Sequence, residues 1–349
     1  MQMGELSYFS KKVTFLSVVL TFMIVILHAK TPERWGLPLN MDNPFIYLTS
    51  VFAQMGVPMF FFISGLLFYR NCDFKVIERK LYSRVHSLLI PYVIWNVLFV
   101  CIFWVLTHVP LLHNRMNMGE VLNDPVEIIY AIINARYTVL WFVKDLMIFC
   151  ALSAGIYIAL SSIKVALAVL ALSIINALLG DYGYENICMW FPMYFTGAIV
   201  GKFYLNKSAL YGDLSGIIKK PFHKRCVTAL LLAVLVLLYI MAARDAGNLF
   251  YYRLLAPILV WMVVDFLLKG FITQRFQVRP WMKYMFFIYC THQFVLNVLQ
   301  KFVVMTCPPT PLTLNLTFIL SPVVVIVLLI CTAKMLSRYR FYSYLSGGR

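Results

Sequence analysis

Residues 56–92 read GVPMFFFISGLLFYRNCDFKVIERKLYSRVHSLLIPY. An apolar run is followed by a short loop, and a second apolar run begins just before Pro91. The loop carries five basic side chains, Arg70, Lys75, Arg79, Lys80 and Arg84. Loops rich in Lys and Arg stay on the cytoplasmic side during membrane insertion. The stretch therefore predicts two membrane spans joined by a basic cytoplasmic loop.

Composition supports the same interpretation for the whole chain. Of the 349 residues, 62% are hydrophobic and 13% are charged, and the mean hydropathy is +0.82. These values exclude an ordinary soluble enzyme built around one core. The net charge of +16 does not indicate nucleic acid, because the basic residues recur between apolar runs instead of forming one patch. We interpret them as topology anchors and as contacts for anionic lipids and ligands.

The eight cysteines are scattered, mostly within apolar runs. They form no CxxC pair and no cluster with histidine at the spacing of a zinc site. The sequence therefore indicates neither a disulfide framework nor a metal site.

Apolar runs long enough to cross a bilayer predict an all-α, polytopic membrane protein with about ten transmembrane helices. Residues 1–349 are expected to form a single integral membrane domain, because no extramembrane segment is long enough to bury its own core. The fifth run is short and follows the fourth closely, which also fits a re-entrant pair. The predicted spans are residues 13–28, 45–69, 85–107, 138–160, 163–180, 187–204, 226–243, 250–268, 283–305 and 312–335.

The distribution of basic residues orients these spans. When Lys and Arg are counted on alternate sides, 22 fall on the side of the two termini, 7 on the other side, and Lys144 lies within a span. This bias predicts that both termini are cytoplasmic.

Ionisable side chains within the spans are the first functional candidates, because a charge in the bilayer costs several kcal/mol unless it is paired or hydrated. Counting helix rise from the nearest basic anchor places four of them in one layer, about 24–28 Å up: His28, Arg253, Glu185 and Asp145. Three side chains are expected just above this layer: Tyr137, Trp141 and Lys144. Together with Arg253 and His292, they are the candidates to bind the substrate or stabilise its oxyanion. His292 is expected deeper, at about 13 Å.

These groups suggest acyl transfer to a hydroxyl. His28, oriented by Asp145 or Glu185, has the chemistry of a general base, and Lys144 or Arg253 has the charge to stabilise an oxyanion. The same groups also fit a structural role, because buried polar side chains often join helices in membrane proteins. The structural interpretation is favoured for His292. Asp265 lies four residues from Lys269 and is interpreted as a snorkelling charge at the interface.

A second candidate site lies on the predicted cytoplasmic side. Lys80 and Arg84 share one helix face, and Arg79 adjoins it, so the three can grip phosphates. The alternative is that they only anchor the topology.

The chain resembles the acyltransferase 3 family of integral membrane O-acyltransferases of bacterial carbohydrates. Five segments carry the likeness, in order along nearly the whole chain: VVLTFMIVILHAK ending near His28, VPMFFFISGLLF at 57–68, RKLYSRVHSLLIPYVIW at 79–95, LWFVKDLMIF at 140–149 and FFIYCTHQFVL at 286–296. Many members carry an arginine three turns before the first histidine, where this chain has Ser17. Lys12, lower on the same helix, is a candidate replacement.

The resemblance implies that acyl-CoA, usually acetyl-CoA, donates its acyl group from the cytoplasm to a carbohydrate hydroxyl. It implies a multi-pass protein of the bacterial inner membrane, with His28 catalytic and Arg79 and Arg84 handling the coenzyme. The predicted partners are acyl-CoA, a cell-envelope polysaccharide or lipid-linked glycan and the bilayer, without nucleic acid. The acyl group, the acceptor and the oligomeric state are left open. The alternative is a transporter or flippase that uses the same charged layer, although no inverted repeat is evident.

Overall fold

The computed structural model describes residues 8–36, 49, 51–108, 124–136, 138–204, 220–245 and 249–348. Within these ranges the chain is helical and contains no β-strand, which confirms the predicted all-α class. The first eight helices are α1 Tyr8–His28, α2 Gly56–Tyr69, α3 Phe74–Arg84, α4 Ile90–His108, α5 Pro125–Ile133, α6 Trp141–Ala151, α7 Ser153–Ala159 and α8 Ile163–Leu179. The next seven are α9 Ile187–Ile199, α10 Pro221–Arg244, α11 Leu249–Val263, α12 Lys269–Gln274, α13 Met285–Thr306, α14 Pro311–Leu336 and α15 Tyr342–Ser346.

Several of these helices have the length and composition of membrane spans. Six single stretches among the described residues qualify by length and composition. The helices α6 and α7, which are bent by 64° at the break between them, make a seventh span if they are counted as one. The count of ten spans and the cytoplasmic termini stay predictions, while a multi-pass membrane protein is supported. The six single stretches that qualify are Tyr8–Trp35, Phe52–Tyr69, Phe74–His108, Pro221–Arg244, Leu249–Gln274 and Pro311–Leu336.

The basic segment after α2 is mostly helical, so its interpretation as a loop is wrong. The Asp73 carboxylate caps α3 by accepting a hydrogen bond of 2.9 Å from the backbone N–H of Val76. Such a cap satisfies an N–H group that has no partner within the helix. A π turn at Val85–Leu89 then joins α3 to α4. The basic side chains are therefore held on a helix surface.

The predicted span 138–160 is not one continuous helix. The chain breaks at Leu152, where ψ is 5°, between α6 and α7. The break involves neither proline nor glycine, so composition did not reveal it.

Among the described helices, α2 and α9 make the most extensive contact. A Cβ atom at Gly65 would overlap the backbone of Tyr194, and one at Gly197 would overlap the carbonyl of Phe62. Gly201, four residues after Gly197, meets α2 in the same way. Small residues at this spacing let two membrane helices approach backbone to backbone. Here they allow the close contact between α2 and α9.

A buried ion pair joins α1 to the π turn Val264–Leu268, which follows α11. Lys12 Nζ lies 2.6 Å from Asp265 Oδ1, and both side chains are fully buried. The same ammonium donates to the carbonyl of Trp261 at 2.9 Å, and the Tyr8 hydroxyl donates to Asp265 at 2.7 Å. These hydrogen bonds offset the cost of removing both charges from water. The interpretation of Asp265 as a snorkelling interface charge is therefore wrong.

Candidate active site

Two cavities meet at the end of α1, where His28 lies. The first His28 cavity has a volume of about 560 Å³, and the second His28 cavity has a volume of about 400 Å³. His28 is the last residue of α1 and lines both cavities. The two cavities share six lining residues: His28, Lys30, Val139, Trp141, Gln293 and Asn297.

His28 is in contact with His292, which lies on α13. The centres of the two imidazole rings are 5.1 Å apart, and the rings are tilted by 56°. The expectation that His292 lies much deeper than His28 is therefore wrong. The depth of His28 was counted from Lys12 as if that residue marked the membrane surface, but Lys12 is buried in the ion pair with Asp265.

The hydrogen bonds of His292 assign its tautomer. Its Nδ1 lies 2.8 Å from the carbonyl oxygen of Tyr289 and 3.2 Å from that of Ile288. Carbonyl oxygens only accept hydrogen bonds, so Nδ1 carries the proton and Nε2 of the neutral ring is an acceptor. The side chain is fully buried, and Nε2 has no hydrogen-bond partner among the described residues. His292 therefore bonds within its own helix through Nδ1 and keeps an unused acceptor, Nε2, on a ring that contacts His28.

The two predicted carboxylates occupy different positions. Glu185 is exposed and lines the first His28 cavity. Asp145 is buried on α6 and lines neither His28 cavity, and its Oδ2 has no hydrogen-bond partner in the described part of the chain. Only Glu185 therefore shares a cavity with His28.

The residues predicted to bind the substrate or stabilise the oxyanion also differ in whether they line a His28 cavity. Trp141 lines both His28 cavities, whereas Lys144, on the same helix, is half-buried and lines neither. Tyr137 lies outside the described residues. Of Trp141 and Lys144, Trp141 is therefore the one that shares both cavities with His28.

Arg253 lies behind the wall of the second His28 cavity. Its Nη2 donates to Gln54 Oε1 at 2.8 Å, and its guanidinium lies 4.8 Å from the ring centre of Tyr184. Gln54 and Tyr184 both line that cavity. Burial raises the pKa of the Tyr184 phenol. Arg253 thus positions wall residues and does not itself face the cavity.

The three basic candidates of α3 also have different environments. Lys80 donates to the carbonyl of Phe68 and, at 3.0 Å, to that of Arg70, so it caps the C-terminus of α2. Arg79 is exposed. Arg84 is half-buried and lines a third cavity of about 240 Å³, called the Arg84 cavity. Of the three, Arg84 is the one that faces an internal cavity.

The Arg84 cavity reaches toward His28. Ser17, at the position where many family members have arginine, lines it together with Arg84. Phe142 and Tyr289 line both this cavity and the second His28 cavity. These two rings therefore form part of the wall between the two cavities. Lys12 does not line the Arg84 cavity, because its ammonium is held by Asp265.

Sequence reasoning missed several polar residues of the site. Gln293, Asn297 and Lys301 line the first His28 cavity from α13. Their spacing of four residues puts them on one helix face, and this polar stripe on an apolar helix was a usable signal. Lys30, Arg34 and Arg136 also line the cavities. They come from the segments after α1 and before α6, where no periodicity marks a binding residue.

The site thus combines a histidine pair, amide side chains and two routes of access, which suits proton transfer from a hydroxyl. A family model described as an acyltransferase domain matches residues 13–334, essentially the whole chain. Comparisons with curated proteins and with solved structures returned no significant match.

Proposed function

Because the chain belongs to the acyltransferase 3 family, we propose that it moves an acyl group, most simply acetyl, from acyl-CoA to a hydroxyl of a carbohydrate. The observation that carries the proposal is that His28 lines two cavities, the second of which shares Phe142 and Tyr289 with the Arg84 cavity. A donor arm from the Arg84 side and an acceptor from the His28 cavities would meet at the imidazole.

In the proposed reaction, His28 takes the proton of the acceptor hydroxyl while the oxygen attacks the thioester carbonyl. The C–S bond breaks, an ester C–O bond remains, and the proton passes to the departing sulfur to give the CoA thiol. Amide N–H groups of Gln293 and Asn297, which line both His28 cavities, are the proposed donors to the oxyanion. Arg253 contributes through Gln54 and Tyr184, which it holds in place.

His292 would set the orientation of the base. Its Nε2 is an unused acceptor beside His28, so it can accept a hydrogen bond from one N–H of the His28 ring. The other nitrogen of His28 then carries the lone pair that accepts the substrate proton. In this proposal His292 takes the orienting role that the sequence assigned to Asp145 or Glu185.

The donor is proposed to bind at the other end of this path. Arg84, with Arg79 nearby on α3, would hold phosphates of the coenzyme by charge-assisted hydrogen bonds. The arm carrying the thioester would pass through the Arg84 cavity between Phe142 and Tyr289. We propose that the protein lies in a bacterial inner membrane with the coenzyme on the cytoplasmic side. The transporter alternative has no support from the family match.

The test is transfer of labelled acetyl from acetyl-CoA to extracted glycolipid or polysaccharide in vesicles that contain the full-length chain. Wild type, His28→Ala and His28→Gln are compared, with His223→Ala as the matched control because His223 is exposed on α10. We expect transfer by wild type and the control, and loss of about 10²–10⁴-fold with both His28 variants. Full activity of folded His28→Ala would refute the assignment of the base. Absence of both transfer and thermal stabilisation by acetyl-CoA would refute the acyltransferase proposal.

A further inference from the structure

We infer that the acceptor is an anionic glycan, with a carboxylate or a phosphate near the hydroxyl that receives the acyl group. The inference rests on the proposed function and names the substrate class of the same site. Four cationic side chains of the described residues carry it. Lys30 lines both His28 cavities, Arg34 lines the second, and Arg136 and Lys301 line the first.

The cations come from separate parts of the chain and converge on one space. Lys30 and Arg34 follow α1, Arg136 precedes α6, and Lys301 lies on α13. Lys30 is repelled by the charges of both Lys301 and Arg34. Like charges held close together raise the free energy of the empty site, and a bound anion removes that cost.

Cationic side chains outnumber carboxylates in the lining of both His28 cavities. Glu185 is the carboxylate that lines the first His28 cavity, and no described acidic residue lines the second. Glu33 stands next to Arg34 in the turn Pro32–Trp35. Arg136 pairs with Glu127 at 3.3 Å, but both side chains are about half exposed (44% and 52%). Exposed pairs of this kind are weak, so a substrate carboxylate or phosphate can take the place of Glu127.

Topology anchoring does not account for the cluster. In the orientation predicted from the sequence, the end of α1 that carries His28 faces away from the cytoplasm, where Lys and Arg are depleted. The coenzyme is also not the expected anion here. Its phosphates are assigned to Arg84, on the other side of Phe142 and Tyr289. The acceptor is the remaining ligand that the His28 cavities would hold.

The test measures binding and transfer with three probes on the detergent-purified full-length chain. One probe is a glucuronate-containing oligosaccharide, the second is the same compound with its carboxyl groups reduced, and the third is a hexose linked to a lipid diphosphate. Binding is measured as thermal stabilisation, and transfer as CoA released from acetyl-CoA. Comparison of the first two probes measures how much the carboxylate contributes to binding. The third probe tests whether a phosphate is the recognised group.

We expect at least one anionic probe to bind about 10–100-fold more tightly than the neutral one, the value of one or two charge-assisted hydrogen bonds. The double variant Lys30→Gln/Lys301→Gln should reduce that preference to near unity without changing KM for acetyl-CoA. The control Lys164→Gln, an exposed residue at the start of α8, should keep it.

Two results would overturn the inference while leaving the acyltransferase proposal intact. One is equal use of neutral and anionic acceptors by wild type, with CoA released in both cases. The other is a double variant that raises KM for acetyl-CoA and keeps the acceptor preference, because the cations would then bind the donor. No CoA release with any probe and no stabilisation by acetyl-CoA would instead overturn both proposals.

Discussion

His28 and His292 stand with their ring centres 5.1 Å apart, one at the end of α1 and the other in the middle of α13. His292 donates its Nδ1 proton to the carbonyl of Tyr289, so the acceptor nitrogen of a fully buried ring is available to its neighbour. The structure thus brings together two histidines that are far apart in the sequence, and in the proposed reaction His292 is the positioning residue.

This relationship predicts the behaviour of His292 variants. His292→Phe keeps a ring but removes both nitrogens, and we expect kcat to fall on the order of 10²-fold with KM for acetyl-CoA unchanged. His292→Gln keeps a side-chain acceptor and should recover part of the loss. Acetyl transfer by purified variants of equal thermal stability measures the effect.

The double variant His28→Ala/His292→Phe separates orientation from a purely structural role. If His292 acts through His28, the double variant is no slower than His28→Ala alone, because the two losses are not additive. Losses that multiply would contradict the pairing.

The path from Arg84 to His28 predicts a donor-specific defect. Arg84→Ala removes the cation that faces the Arg84 cavity, and KM for acetyl-CoA should rise about 10–100-fold, the value of one or two charge-assisted hydrogen bonds. Lys75→Ala, an exposed site on the same helix, is the matched control and should leave KM unchanged. Equal effects of the two variants would mean that the basic face acts only through its general charge.

Cys290 provides a test of direct transfer. It is buried and lines the first His28 cavity with His28, yet the proposed reaction uses no acyl-enzyme. Cys290→Ala should therefore keep most of the transfer activity, and initial rates should not show ping-pong kinetics. A folded but inactive Cys290→Ala, with acyl label trapped on the wild-type protein, would replace direct transfer by a covalent route.

The buried ion pair predicts a large stability effect away from the site. Asp265→Leu leaves the Lys12 ammonium buried without its carboxylate, and we expect a loss of about 3–5 kcal/mol in the free energy of unfolding. Lys12→Met/Asp265→Leu removes both charges and should recover most of that loss. Denaturation in detergent checks both variants. A double variant as unstable as Asp265→Leu would show that packing, and not the unpaired charge, causes the defect.

The contact between α2 and α9 predicts a sharp difference between two glycines. Gly197→Ala puts a methyl group against the backbone of Phe62, and should destabilise the protein by about 1–3 kcal/mol or more. Gly155→Ala, on α7 with nothing near its added Cβ, should be neutral or stabilising by up to about 1 kcal/mol. The melting temperatures of the two variants, measured in the same detergent, test this prediction.

Two further features of the structure correspond to local patterns in the sequence. The spacing Gly197-x-x-x-Gly201 and the polar stripe Gln293, Asn297, Lys301 are both visible in the sequence. Each marks one face of one helix. Neither pattern says which helix or which cavity that face will meet.

The helical class, the membrane character, the family and the choice of His28 as candidate base could all be predicted from the sequence. These properties depend on composition and on short motifs, which are local. The contact of His292 with His28, the capping of α2 by Lys80, the position of Arg84 at a cavity and the pairing of Lys12 with Asp265 are visible only in the folded chain. Depth counted along one helix cannot give these contacts, because the heights and rotations of separate helices are set by how they pack against one another.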